Sequence, residues 1–228
     1  MRRAAILPLF LLGIAAVGLL FSQSTPSGVL SLTATTANVA GAPDAVRFEI
    51  LRWSTDDERE KLMSAWELKF LPGDGAGKPA RGGGRGAAAA GRGRAAPSAP
   101  TTKLTPEAAL ANALQETTTV GYLWSSENVG YALRYAARIA NPDRSQRIIL
   151  ITDRRLGAVN QLWNPTFSGD PNTYEFSVIE LRLNAKDEGE GRASITGKIA
   201  PDPAAKIVTL ENYDMLPAIF KDVRSKKP

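Results

Sequence analysis

From Val120 onward the sequence is a succession of short segments in which apolar and polar residues alternate, and this pattern restricts the fold more than any other feature. Val120, Tyr122 and Trp124 alternate with Gly121, Leu123 and Ser125. Ser125-Ser126-Glu127-Asn128 reads as a turn. Tyr131, Leu133, Tyr135 and Ala137 then alternate with Ala132, Arg134, Ala136 and Arg138 as a partner strand. A period of two places successive side chains on opposite faces of a strand, and short turns between strands favour antiparallel pairing. Asn141-Pro142-Asp143 is the next turn signal. Ile148-Ile149-Leu150-Ile151 interrupts the alternation, so residues 147–153 are expected to form a central strand covered on both faces. Residues 174–183 and 192–200 read as further strands, with a polar turn at 187–191 between them. A Pro-rich turn at Pro201 and Pro203 leads to an apolar stretch at 207–210 and a last one around Ile219 and Phe220.

Two segments carry helix signals instead. After a strand-like alternation of Val46, Phe48 and Ile50 with Arg47 and Glu49, Thr55 and Glu58 have the spacing of a capping box. Leu62, Met63, Trp66 and Phe70 follow at helical spacing. Thr105-Pro106-Glu107 supplies an N-cap, a first-position Pro and a first-turn acid, with Ala109, Leu110, Ala113 and Leu114 on one face. The expected fold class is α+β: a mainly antiparallel sheet with one or two helices packed on one face.

Between the helices lies a Gly/Ala/Arg-rich tract, residues 72–103, whose apolar side chains are all Ala or Pro. Such a tract buries too little surface to offset its ordering entropy. It is expected to interrupt a single domain of residues 45–228, because one strand and one helix ahead of it are too few to fold alone. Residues 25–44 are small and polar and read as a flexible tether. Residues 1–24 have the order of a secretory signal peptide: basic Arg2 and Arg3, an uncharged apolar run over 4–21, then Ser22-Gln23-Ser24. The expectation is a periplasmic or secreted protein, with membrane anchoring by residues 4–21 as the alternative.

The chain has no Cys and no His. A disulfide framework, a cysteine nucleophile, a Ser-His-Asp triad and a His-based zinc site are therefore excluded. The formal charge of +5 suggests an anionic partner until it is located. Arg2, Arg3 and the tract account for more than the whole excess, leaving the remaining residues at −2. No basic face suited to nucleic acid is expected. Arg81, Arg85, Arg92 and Arg94 offer at most contact with an anionic envelope surface.

The run Arg52-Trp53-Ser54-Thr55-Asp56-Asp57-Glu58-Arg59, the segment Val120-Gly121-Tyr122-Leu123, the stretch from Arg147 to Arg154 and the sequence Leu210-Glu211-Asn212-Tyr213 resemble a group of exported bacterial proteins of unknown function. The resemblance implies export and a small sheet-containing domain. It implies no catalytic residue.

Candidate binding residues are Arg134, Asp153 and Arg154, which two neighbouring strands would bring together, and Glu211, Asn212 and Tyr213 at a strand end. Tyr122, Trp124, Tyr131 and Tyr135 are expected to form one aromatic face, suited to stacking on sugars or to packing under a helix. Asp187, Glu188 and Glu190 read as a solvated turn, without the spacing of a calcium loop. No catalytic residue, metal ligand or cofactor site is assigned. The functional expectation is a non-catalytic binding or structural domain of the bacterial envelope or periplasm. The alternatives are a carboxylate-dependent hydrolase of envelope saccharides, and polyanion or membrane-surface association through the basic tract.

Overall fold

The structure is a computed structural model and describes residues 29–68, 104–125, 130–158 and 162–226. In chain order the elements are β1 (Leu30–Thr36), β2 (Val39–Ala40), β3 (Ala45–Ile50), α1 (Asp56–Trp66), α2 (Pro106–Gln115), β4 (Gly121–Trp124), β5 (Gly130–Ala140), β6 (Gln146–Thr152), β7 (Asn164–Pro165), β8 (Val178–Leu183), β9 (Glu188–Ala193), β10 (Ile199–Asp202), β11 (Ile207–Leu210) and β12 (Phe220–Ser225). A 3-10 turn over Tyr213–Met215 precedes β12.

Eight of the strands close into an antiparallel barrel in the order β1-β12-β9-β8-β6-β5-β4-β3, each next to its chain neighbour among the eight. This corrects the expected α+β sheet with helices on one face. The closing element is β1, which lies inside the segment read as a tether. It pairs with β3 on one side (Leu32 opposite Phe48) and with β12 on the other (Leu32 opposite Ser225). Its inward residues are Leu32 and Ala34, with Leu30 packed partly buried against the same core. A strand facing a narrow lumen needs few bulky side chains, which is why its composition looked like linker. The proposed signal at 1–24 and the tract at 72–103 lie outside the described residues.

Side chains fill the lumen. Phe48 and Phe220 meet edge to face at 5.1 Å, Phe220 packs on Trp163 at 5.9 Å, and Trp163 meets Tyr131 at 6.4 Å. Leu32, Val46, Ile50, Leu123, Leu133, Ile148, Leu150, Ile179 and Leu181 complete this core. Eight strands enclose a space just wide enough for such packing.

A second core lies outside the barrel. The outward residues Tyr135, Ala137, Ile149, Ile151 and Val178 are covered by Leu62 and Ala65 of α1, by Leu110, Ala111 and Leu114 of α2, and by Ile199, Ile207 and Leu210 of the β10–β11 hairpin. β6 is therefore covered on both faces, as its apolar run implies. The helices begin where the sequence places them. Thr55 and Glu58 form the full capping box, and the Thr105 hydroxyl accepts from the Ala108 N–H behind Pro106. Lys61 and Glu116 tie the two helices with a 2.7 Å ion pair.

Two local expectations change. Residues 187–191 are mostly strand β9, and the segment read as one strand over 192–200 is split between β9 and β10. Gly189 and Gly191 look like turn residues but serve close strand packing. A Cβ on Gly189 would lie 1.9 Å from the Arg182 carbonyl oxygen, and one on Gly191 2.3 Å from Leu181 Cδ2.

The second change is a bulge in β5. Leu133 lies opposite Thr152 and Tyr135 opposite Ile151, so Arg134 is the extra residue. One extra residue reverses the parity of everything after it. Tyr131 and Leu133 point into the lumen, whereas Tyr135 and Ala137 point outward beneath the helices.

Candidate functional site

Among the described residues, the helices and the β10–β11 hairpin cover one side of the barrel. On the other side the outward residues of β3 and β4 form two cross-strand rows. Glu49 pairs with Tyr122, and Tyr122 with Ala132 of β5. Arg47 pairs with Trp124, and Trp124 with Gly130. The inward residues of these strands, Phe48 and Leu123, are fully buried, whereas Tyr122 and Trp124 are only half-buried. The four aromatics expected on one face are thus divided three ways: Tyr122 and Trp124 outward, Tyr131 into the lumen, Tyr135 under α1.

Several contacts fix Trp124. Its indole Nε1–H donates to Glu49 Oε2 at 3.0 Å. The Arg47 guanidinium lies 5.8 Å from its ring centroid. The Tyr122 ring lies 5.2 Å away, tilted by 32°. Its six-membered ring occupies the space where a side chain at Gly130 would stand: a Cβ there would meet Trp124 Cε3 at 2.9 Å.

Asp153 and Arg154 follow β6 and reach the backbone of β5, with Arg154 on the side of the lumen residue Tyr131. The Asp153 N–H donates to the Ala132 carbonyl at 2.8 Å, and Arg154 Nη2 donates to the Gly130 carbonyl at 2.7 Å. The two are ion-paired at 3.0 Å, and Arg154 lies 4.8 Å over the Tyr131 ring. Asp153 Oδ1 and Arg154 Nε are buried without a hydrogen-bond partner. Arg134 donates from Nη1 to the Thr117 carbonyl at 2.9 Å and also leaves a buried Nε unpartnered. The structure therefore brings Asp153 and Arg154 together and turns Arg134 toward the loop after α2.

The other expected trio lies in a different cluster. Glu211 and Asn212 are exposed, with Asn212 in the left-handed region at φ 52°. Tyr213 is buried between two guanidinium groups, Arg182 at 3.6 Å and Arg192 at 4.1 Å from its ring centroid. Burial pushes the Tyr213 phenol above its ordinary pKa. At the centre is Glu180, wholly buried on the outward side of β8. Its Oε1 accepts from Arg147 Nε at 3.1 Å and Arg182 Nε at 2.9 Å. Arg147 reaches on to Asp202 and Arg182 to Asp214. Sequence reasoning missed this network. Its signal was one acid inside the apolar run Val178-Ile179-Glu180-Leu181, since a strand covered on both faces tolerates a carboxylate only when it is paired. Tyr213, held between Arg182 and Arg192 and donating to the Glu190 carbonyl, ties the 3-10 turn to β8 and β9, while Glu180 Oε2 stays buried without a hydrogen-bond partner among the described residues.

A third feature is a groove between α1 and the β10–β11 turn, lined by Asp56, Arg59, Glu60, Met63, Ser64, Glu67, Pro203 and Lys206. Asp56 is ion-paired with Arg59 at 3.0 Å. Among the described residues no group of three or more Asp or Glu is placed to hold a metal ion, and no helix is long and apolar enough to cross a membrane. No family model, curated protein or solved structure matches the chain.

Proposed function

We propose that the protein is exported to the bacterial envelope or periplasm and serves there as a non-catalytic binding or structural domain. The observation that carries the binding reading is the division of the barrel. Phe48, Phe220, Trp163 and Tyr131 fill the lumen, and the helices close one outer side. The side that no other described element covers presents Tyr122 and Trp124 beside Arg47 and Glu49. Aromatic rings with a few fixed polar groups are the usual make-up of recognition surfaces. The basic start, the apolar run and the small polar residues after it support export.

Two measurements on the full-length chain test this reading. Cell fractionation with N-terminal sequencing is expected to find the protein outside the cytoplasm, cut near Ser24. An uncut cytoplasmic protein refutes export. Incubation with isolated envelope polysaccharide is expected to release no new reducing ends. Release that depends on Asp56 or Glu60 would instead support the hydrolase reading, which the acidic groove along α1 favours.

A further inference from the structure

We infer that the outward face around Trp124 is a platform for a neutral saccharide chain, a proposal that deepens the binding reading above and rests on it. Three features converge there. The first is shape. Gly130 and Ala132 provide a floor nearly free of side chains, and the Trp124 ring occupies the space above Gly130. One side of the indole rests against backbone while the residue stays half-exposed. Tyr122, two residues along the strand, extends the same apolar strip. Tyr131 and Tyr135 are almost wholly buried because the lumen and the helices need them. Tyr122 and Trp124 face no described element that would give them a packing role.

The second feature is orientation. The 3.0 Å bond from the indole N–H to Glu49 holds the ring in place before a ligand arrives, which lowers the ordering cost of binding. The Glu49 carboxylate keeps acceptor capacity beyond that bond.

The third is charge. On the face itself the Arg47 guanidinium over the indole offsets the Glu49 carboxylate bonded to it. A nucleic acid or other polyanion would meet a carboxylate for its one cation, so the surface does not favour phosphate. A sugar offers what the face lacks: hydroxyls that both donate and accept, on a ring whose C–H face lies against an aromatic plane.

The test is a titration of the full chain with cellotetraose, N-acetylchitotetraose and an eight-residue oligothymidylate, read by tryptophan fluorescence and by calorimetry. Saturable binding of at least one tetrasaccharide is expected, weakened at least tenfold in Trp124→Ala and in Gly130→Val, which displaces the indole. Trp66→Phe, on α1, is expected to bind as wild type does. Melting curves check that each variant folds; if Trp124→Ala does not, Tyr122→Ala and Glu49→Gln supply the same readout. Three results overturn the platform: no saturable saccharide binding, binding unchanged in the folded platform variants, or preference for the oligothymidylate. If wild type binds neither sugar but is found processed outside the cytoplasm, the platform fails and export stands. If it binds both sugars but stays uncut in the cytoplasm, export fails and the platform stands.

Discussion

Leu32→Ala tests barrel closure directly. Leu32 is wholly buried, and its neighbours across the ladders are Phe48 on β3 and Ser225 on β12. Truncation removes three buried carbons, about 2.4 kcal/mol of transfer free energy at roughly 0.8 per group. The barrel wall is held by strands on both sides and cannot collapse fully into the space. A cavity contribution therefore brings the total to about 3–4 kcal/mol, within the range of roughly 2–5 for such truncations. With a urea slope of about 2 kcal/mol per molar, the unfolding midpoint should fall by about 1.5–2 M, with the slope unchanged. Thr33→Ala is the control, since Thr33 is the next residue on the same strand and points outward, half-exposed. It should shift stability by no more than about 0.5 kcal/mol. A flexible tether would make both substitutions silent. A Leu32→Ala midpoint within error of Thr33→Ala would therefore refute closure of the barrel through β1.

Other substitutions probe other parts of the fold. The Arg52 guanidinium, bonded to both oxygens of Glu58, holds that carboxyl down at about pKa 2. A depressed carboxylate stabilises above its unfolded pKa, so this contribution should be intact above about pH 4.5 and fade as pH falls toward 2. Both groups are partly solvated, so Glu58→Gln should cost only about 1 kcal/mol at neutral pH and flatten the acid limb of the stability profile. Glu180→Leu strands Arg147 and Arg182 without their shared carboxylate and should cost about 3 kcal/mol in chemical unfolding. Gly189→Ala forces a methyl against the Arg182 carbonyl and should cost about 3 kcal/mol. Asn112→Ser, on the exposed side of α2, is its neutral comparison in the same melts.

Most individual elements were legible because each rests on local chemistry. The capping box at Thr55 and Glu58, the Pro106 helix start and the doubly covered β6 all appear where residue types place them. Closure was not legible. It depends on a pairing between chain ends, and although Leu30, Leu32 and Ala34 alternate with Ser31, Thr33 and Thr35, so short a row of mostly small residues beside a polar stretch was read as linker. The bulge at Arg134 was equally hidden. The β4–β5 register sets Tyr131 opposite inward Leu123 and away from Tyr122 and Trp124, and the extra residue then turns Tyr135 outward, so the rings end in two cores and on the surface. Of the site candidates, Asp153 and Arg154 were singled out because they follow a strand, where loops collect polar groups. Glu49 and Gly130 escaped notice because a strand acid and a turn glycine look ordinary until the indole lies between them.

The pairing of β1 with β12 also sets a timetable. On a growing chain β1 and β3 are made first, yet β1 has no second neighbour until residues 220–225 exist. Until then its outer edge is an unpaired strand, able to recruit another chain. Closure joins positions as far apart as Leu32 and Ser225, which makes it the slow, late event of folding. A polypeptide whose barrel waits for its last strand stays open along the β1 edge until residues 220–225 are made. That is the state in which a chain can still be threaded through a narrow pore.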